Sequence, residues 1–286
     1  MSSPLYAQVA AAAEALAAAG IAPAEARLDA RLLAQHVLNW DAATFLANTR
    51  DVPPGTFDDP YALVVRRRAR REPIAYILRQ REFWGLVFEV TPGVLVPRPE
   101  TEMIVQAALE VVSDVAAKVR IADVFTGSGC VAVAVARERP AARLVASDVS
   151  SDALQVASRN ALKHGVAPRI GLVRADVLEG LAGHLDVILA NPPYVPATAA
   201  QGLAPEVRDH EPALALFAGT DGLCFIRRLV ADAPARLRGG GWLIFEMGAD
   251  QAAAVTELIE ESPGLTMVDL RCDLQGHART AVVERT

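Results

Sequence analysis

Residues 121–132 read Ile121-Ala-Asp-Val-Phe-Thr-Gly-Ser-Gly-Cys-Val-Ala132, an apolar run, a glycine-rich turn and the first residues of a helix-compatible stretch. Strand, turn and helix follow in that order. Gly127 and Gly129 let the backbone approach a ligand closely, and the helix N-terminus behind them favours a negatively charged group. Outward from this segment the pattern alternates as far as the C-terminus. Apolar, β-branched runs predict strands at 120–124, 143–147, 169–173, 185–190, 241–246, 265–271 and 279–284. Helical stretches fill 130–138, 150–163, 222–237 and 249–261. Alternation of this kind predicts an α/β fold, a mostly parallel sheet covered on both faces.

Upstream the character differs. Leu5, Val9, Ala12 and Leu16 repeat at helical spacing, and Ala-rich helical sequence continues to about Trp40. Pro53-Pro54-Gly55 marks a turn, and a further helical stretch runs from Asp58 to Arg71. Residues 1–80 therefore predict a small helical domain. Aromatic and β-branched residues flank Gly85, so 81–97 reads as a β-hairpin linker. Pro97-Arg-Pro-Glu-Thr-Glu102 opens the larger domain, 98–286, with Pro and acids suited to a first helical turn.

Composition narrows the function classes. With 286 residues, 52% apolar and 22% charged, the chain is long enough for about two domains with real cores. A net charge of −6 argues against a general polyanion binder. Cys130, Cys224 and Cys272 are far apart and odd in number, which fits neither a disulfide framework nor a paired metal site. The expected setting is a reducing cytoplasm, with no membrane span and no exported leader. His36, His164, His184, His210 and His277 show no ligand spacing, so no metal is expected.

Chemistry concentrates at four places. The turn Phe125-Thr126-Gly127-Ser128-Gly129 matches G-x-G-x-x-A when read on to Ala132, which nicotinamide and S-adenosylmethionine folds share. Asp148 ends the next strand, where an acid can bind a ribose diol in either fold. Asp176 and Val177 follow the third strand, placed to accept from an adenine amino group and to meet a ring nitrogen. Asn191-Pro192-Pro193-Tyr194, directly after the strand Asp186–Ala190, breaks the ambiguity. An NH2 group has two donors and needs two acceptors. The Asn191 side-chain oxygen and the Pro192 carbonyl are that pair, with Pro193 stiffening the backbone and Tyr194 offering a flat face. An amide nitrogen is a poor nucleophile, because its lone pair is delocalised into the carbonyl. Gripping both N–H bonds orients that lone pair and stabilises developing positive charge.

Arg66, Arg67, Arg68, Arg70, Arg71, Arg79 and Arg81 crowd a short stretch with Glu72 as its one acid. Two readings stand: a solvated helix face, or a docking patch for an acidic protein or RNA.

Taken with Arg81-Glu-Phe-Trp-Gly85, Pro97-Arg-Pro-Glu-Thr-Glu102 and Glu206-Val-Arg-Asp-His-Glu-Pro212, these motifs resemble the HemK/PrmC-type protein-(glutamine-N5) methyltransferases. The resemblance covers nearly the whole chain. It implies a Rossmann-like S-adenosylmethionine-dependent methyltransferase sheet behind a helical substrate-recognition domain. It implies cofactor binding by residues 125–129, Asp148, Asp176, Val177 and Asn191, and substrate binding by residues 191–194. Asn191, Pro192 and Tyr194 would be catalytic. The substrate implied is the Gly-Gly-Gln glutamine of class I peptide-chain release factors, with no direct nucleic-acid partner. Rivals are a ribosomal-protein glutamine methyltransferase, a nucleic-acid amino-methyltransferase and a catalytically silent binding module. One departure stands out: the family's first turn glycine is Phe125 here. The expectation is a ring turned into the sheet–helix interface, with Phe125→Gly tightening cofactor binding modestly.

Overall fold

Gly20, at φ 86°, divides the Ala-rich start into two helices, where the sequence reads as one continuous helical stretch. The computed structural model describes residues 3–181 and 183–286. The chain forms two structural units, residues through Arg79 with Ala204–His210, and Gln80–Leu203 with Glu211–Thr286. The first unit holds α1 (Leu5–Ala18), α2 (Pro23–Leu38), α3 (Ala42–Ala47), α4 (Asp58–Ala69) and α5 (Ile74–Leu78). Pro23 starts α2 and Asn39, left-handed at φ 52°, ends it. Asp41 caps α3 by accepting from the Thr44 amide at 2.7 Å. Leu5, Leu16, Leu33 and Phe57 are fully buried at the centre of this unit. Tyr61 stacks on Phe57 at 4.7 Å and donates its hydroxyl to the Ala30 carbonyl at 2.9 Å.

The arginine-rich stretch is not a uniformly solvated face. Arg68 is 1% exposed. Its guanidinium meets Asp29 at 2.6 Å, Glu25 at 2.9 Å and Glu206 at 2.8 Å. Arg71 reaches the other oxygen of Glu206 at 2.7 Å, and Arg67 pairs with Glu72. Arg66, Arg70 and Arg79 stay exposed.

The second unit starts with a hairpin of β1 (Gln80–Phe83) and β2 (Leu86–Glu89). Its two turn residues, Trp84 and Gly85, both have positive φ, 54° and 65°, the geometry that matches strand twist in a two-residue loop. The paired strands end at Glu89, short of the predicted span. A 3₁₀ turn over Pro99–Thr101 leads into α6 (Glu102–Val111). Then come β3 (Arg120–Val124), α7 (Cys130–Glu138), β4 (Arg143–Asp148), α8 (Ser151–Lys163), β5 (Ile170–Arg174) and β6 (Leu185–Ala190). The short α9 (Pro205–His210) packs with the first unit. The chain finishes with α10 (Cys224–Arg236), β7 (Leu237–Glu246), α11 (Ala252–Glu260), β8 (Leu265–Cys272) and β9 (Ala278–Arg285).

The seven strands β3 to β9 form one sheet in the order β5-β4-β3-β6-β7-β9-β8. The first five are parallel, and β9 runs antiparallel to both its neighbours. Side chains alternate between two cores. Ile121, Val187 and Leu189 face α6 and α7, whereas Ala122, Val124, Ile188 and Ala190 face α10 and α11. Strand order reverses between β3 and β6, the switch point where open α/β sheets hold their ligands. Val124 pairs with Ala190 across that point. The glycine turn and the Asn-Pro-Pro-Tyr segment therefore leave adjacent strand ends.

Candidate functional site

The turn after β3 is braced from below. Asp123, 2% exposed, accepts from the Thr126 hydroxyl at 2.5 Å and the Ala132 amide at 3.1 Å. Burial pushes its carboxyl up to about 7, above the ordinary carboxylate range. The folded state thus holds this proton more tightly than the unfolded chain. Asp123 therefore costs stability progressively as pH rises from the ordinary carboxylate value to about 7. Asp123→Asn, which keeps an acceptor, is expected to gain thermal stability over wild type as pH rises across that window. Melting curves at pH 5 and pH 8 check this, and a gap that shrinks with pH contradicts it.

Gly129, at φ 79°, has no room for a side chain, because a Cβ there would lie 3.0 Å from the Ala157 Cβ on α8. The Gly127 amide donates to Asp148 Oδ2 at 3.0 Å, and the Ser150 amide donates to Oδ1 at 2.9 Å. Asp148 is thereby fixed beside the turn with lone pairs to spare. Asp176 is engaged differently from the expectation. Arg228, on α10, grips both its oxygens at 3.1 and 2.9 Å, so a ligand amino group shares that carboxylate with a cation. Val177 is buried and left-handed, φ 53°.

At the end of β6, the Asn191 Nδ2 donates to Thr101 Oγ1 at 3.0 Å. Thr101 donates to Glu246 Oε2 at 2.6 Å, and Tyr194 donates to Glu246 Oε1 at 3.0 Å. Thr101 and Glu246 are 2% and 1% exposed. Burial pushes the Glu246 carboxyl and the Tyr194 phenol upward. The Tyr194 backbone is held as well: its carbonyl accepts from Gln251 Nε2 at 3.0 Å. Gly222 leaves space there, since a Cβ on it would lie 2.3 Å from that carbonyl.

One cavity is lined by the turn from Phe125 to Ser128, by Asp148, by Asp176 and Val177, and by Asn191 and Pro193. Arg98 adds a wall, fixed by a 2.6 Å ion pair with buried Glu211. Gly129, Pro192 and Tyr194 lie outside this lining. Gly129 instead packs two helices together, and Tyr194 points its hydroxyl at Glu246. Thr101 and Glu246 were not singled out from sequence. Glu246 had a signal: it is a carboxylate closing the apolar strand Trp242-Leu-Ile-Phe245 at the ligand-binding edge of the sheet. Among the described residues, no group of three His, Cys, Asp or Glu is arranged for a metal, and no helix is long and apolar enough to cross a membrane.

Comparison with known proteins settles the family. A release factor glutamine methyltransferase from Cereibacter sphaeroides is 43% identical over 264 residues, 92% of each chain. The chain belongs to the release factor glutamine methyltransferase family. A member from Xylella fastidiosa (strain Temecula1) is 41% identical over 90% of this chain and 92% of its own. Family models for the PrmC N-terminal domain and the methyltransferase small domain match residues 8–78 and 101–206. The crystal structure of the hMettl16 catalytic domain in complex with MAT2A 3'UTR hairpin 6 covers 80% of this chain and 82% of its own, at TM-score 0.58 and 20% identity. That likeness concerns the fold alone, and it is the Rossmann-like methyltransferase sheet.

Against the family glycine, Phe125 takes the left-handed backbone itself, at φ 61°. Its ring packs edge-on to Phe225 of α10 at 5.6 Å, against the core on that face of the sheet, and also lines the cavity. Phe125→Gly relieves roughly 1–2 kcal/mol of left-handed strain. It forfeits an aromatic pair of about 0.5–1.5 kcal/mol and the burial of a large side chain, about 1.5–3 kcal/mol if complete. Packing outweighs strain, so Phe125→Gly is expected to lower the thermal midpoint and leave the cavity without one wall. The ring sits at the sheet–helix interface as expected, and the modest tightening of cofactor binding expected of Phe125→Gly is checked separately by calorimetry on the same variant. A raised midpoint in scanning fluorimetry would show that strain dominates.

Proposed function

We propose that this protein transfers the methyl group of S-adenosylmethionine to the side-chain amide nitrogen of the glutamine in the Gly-Gly-Gln motif of class I peptide-chain release factors. The observation that carries the reading is the Val124–Ala190 register, beside which the glycine turn, Asp148, Asn191 and Pro193 line one cavity. The cavity fits the cofactor chemically. Asp148, anchored by two backbone amides, keeps lone pairs for a ribose diol beside the glycine turn. When bound, the cofactor supplies an electrophilic methyl group.

This chain's own residues then position the nucleophile. Asn191 accepts one N–H of the substrate amide and the Pro192 carbonyl the other, leaving the nitrogen lone pair directed at the methyl carbon. Those acceptors strengthen as the nitrogen gains positive charge, so they act mainly on the transition state. With the cofactor bound, transfer would be in line and without a covalent enzyme intermediate: the N–C bond would form as the S–C bond breaks, and the methylated amide would give up one N–H proton to solvent. We assign residues 1–80 to recognition of the folded substrate, with exposed Arg66, Arg70 and Arg79 meeting an acidic surface. A Michaelis constant for the release factor that rises with salt supports this, and a salt-independent one removes it.

Incubation with radiolabelled S-adenosylmethionine and, separately, purified release factor, ribosomal proteins and nucleic acid tests the reading. Label is expected in the release factor. Label confined to ribosomal protein or nucleic acid overturns the substrate class, and tighter binding of NAD than of S-adenosylmethionine overturns the chemistry.

A further inference from the structure

Asn191 works as an acceptor only if its amide is the right way round, because a flipped side chain would present NH2 to an incoming NH2. The hydrogen bonds behind it decide the orientation. An ionised carboxylate only accepts, and Glu246 receives two protons, from Thr101 at 2.6 Å and from Tyr194 at 3.0 Å. Thr101 has a single proton and spends it on Glu246. Its oxygen can then only accept from Asn191, at 3.0 Å, which requires Nδ2 on that side. The Asn191 oxygen takes no part in this chain of bonds, and the residue lines the cavity.

From this order of donors and acceptors we propose that Thr101 and Glu246 are positioning residues for methyl transfer, a relay that fixes the Asn191 amide in its accepting orientation. The proposal rests on the glutamine-methylation reading and adds to it two residues that act through Asn191, Thr101 at the cavity wall and Glu246 behind it. The relay also polarises. Negative charge at Glu246 pulls the Thr101 proton, which strengthens the acceptance from Nδ2 and raises electron density at the Asn191 oxygen. That oxygen meets the amide that becomes positive during transfer, so the gain falls on the transition state rather than on binding.

Protonation reverses the order. A Glu246 that donates to Thr101 frees the Thr101 hydroxyl to donate to Asn191, and the amide turns over. Burial and Glu100 push this carboxyl upward, whereas the Thr101 and Tyr194 hydroxyls and Arg279 hold it down. Glu246→Gln introduces the same fault, because its NH2 can donate to Thr101.

The test compares Thr101→Val, close in volume, with Thr101→Ser, which keeps the hydroxyl, and with Glu246→Gln. Wild type is first shown to methylate release factor, so failure of the activity reading is seen separately and takes this proposal with it. In Thr101→Val and Glu246→Gln, kcat is expected to fall on the order of ten- to a hundredfold, the scale of a misplaced reacting group. The Michaelis constant and the calorimetric affinity for S-adenosylmethionine should move little. Thr101→Ser should recover most of kcat. The wild-type loss of kcat on the acid side should be absent in Thr101→Val, whose Asn191 no longer receives its orientation from Glu246. A Thr101→Val enzyme with unchanged kcat overturns the proposal, as does a Thr101→Ser enzyme as slow as Thr101→Val. If Glu246→Gln fails to fold, the Thr101 pair decides alone.

Discussion

Asn191→Ala is expected to lower kcat by about a hundredfold, the ~3 kcal/mol typical of losing one preorganised hydrogen-bond partner of a developing charge. The cause is local. Truncation removes one of two acceptors and leaves the substrate nitrogen free to rotate its lone pair away from the methyl carbon. It also leaves Thr101 without its donor, but Thr101 still bonds Glu246 at 2.6 Å, so the wall beneath should persist. Affinity for cofactor should change much less than turnover, because the glycine turn and Asp148 are held by their own backbone contacts. Single-turnover rates with calorimetry on the same variant measure both. Normal turnover would show that the Asn-Pro-Pro-Tyr segment is a structural loop.

The largest expected effect on stability belongs to Arg68→Met. Arg68 meets Asp29, Glu25 and Glu206 together, and its side chain and that of Asp29 are 1% and 3% exposed. Removing one partner of a buried ion pair typically costs about 3–5 kcal/mol, since the other charge stays behind without compensation. Asp29 has an escape by taking up a proton. Burial already pushes its carboxyl upward, opposed chiefly by the hydrogen bond and charge of Arg68. Without Arg68 the folded state binds that proton more tightly still, while the unfolded chain does not. The deficit should therefore grow as pH rises above the ordinary carboxylate range. Urea titrations at pH 5 and pH 8 should show a lower midpoint for the variant at both, and a wider gap at pH 8. Equal midpoints would mean that the acids are hydrated well enough to do without the arginine.

What sequence reasoning reached and missed follows from the range of the interactions. Strands such as Leu185–Ala190, apolar on both faces from Val187 onward, are near-continuous apolar runs, and their helices keep a 3.6-residue period, so the sheet could be read locally. The start of β7 could not. Its first residues include Arg238-Gly-Gly-Gly241, which look like a turn, and a Cβ on Gly241 would sit 2.9 Å from the Arg238 carbonyl. The helices α3 and α5 are six and five residues long, too short to show a period. Both motifs at the site were visible because each is contiguous. The side chains that hold them were not, since Thr101 meets Asn191 across 90 residues and Glu246 across 145. The arginine cluster looked like surface for the same reason. Its partner Glu206 is 138 residues away and arrives on a short helix set in the other half of the sequence.

Glutamine methylation is read most directly by tandem mass spectrometry, at the residue level, of a release factor incubated with this protein and S-adenosylmethionine. A single added methyl group is expected on the Gly-Gly-Gln glutamine, dependent on the protein and absent with Asn191→Ala on the same time scale. A methyl group on another residue, or none while wild-type protein binds the cofactor, would contradict it.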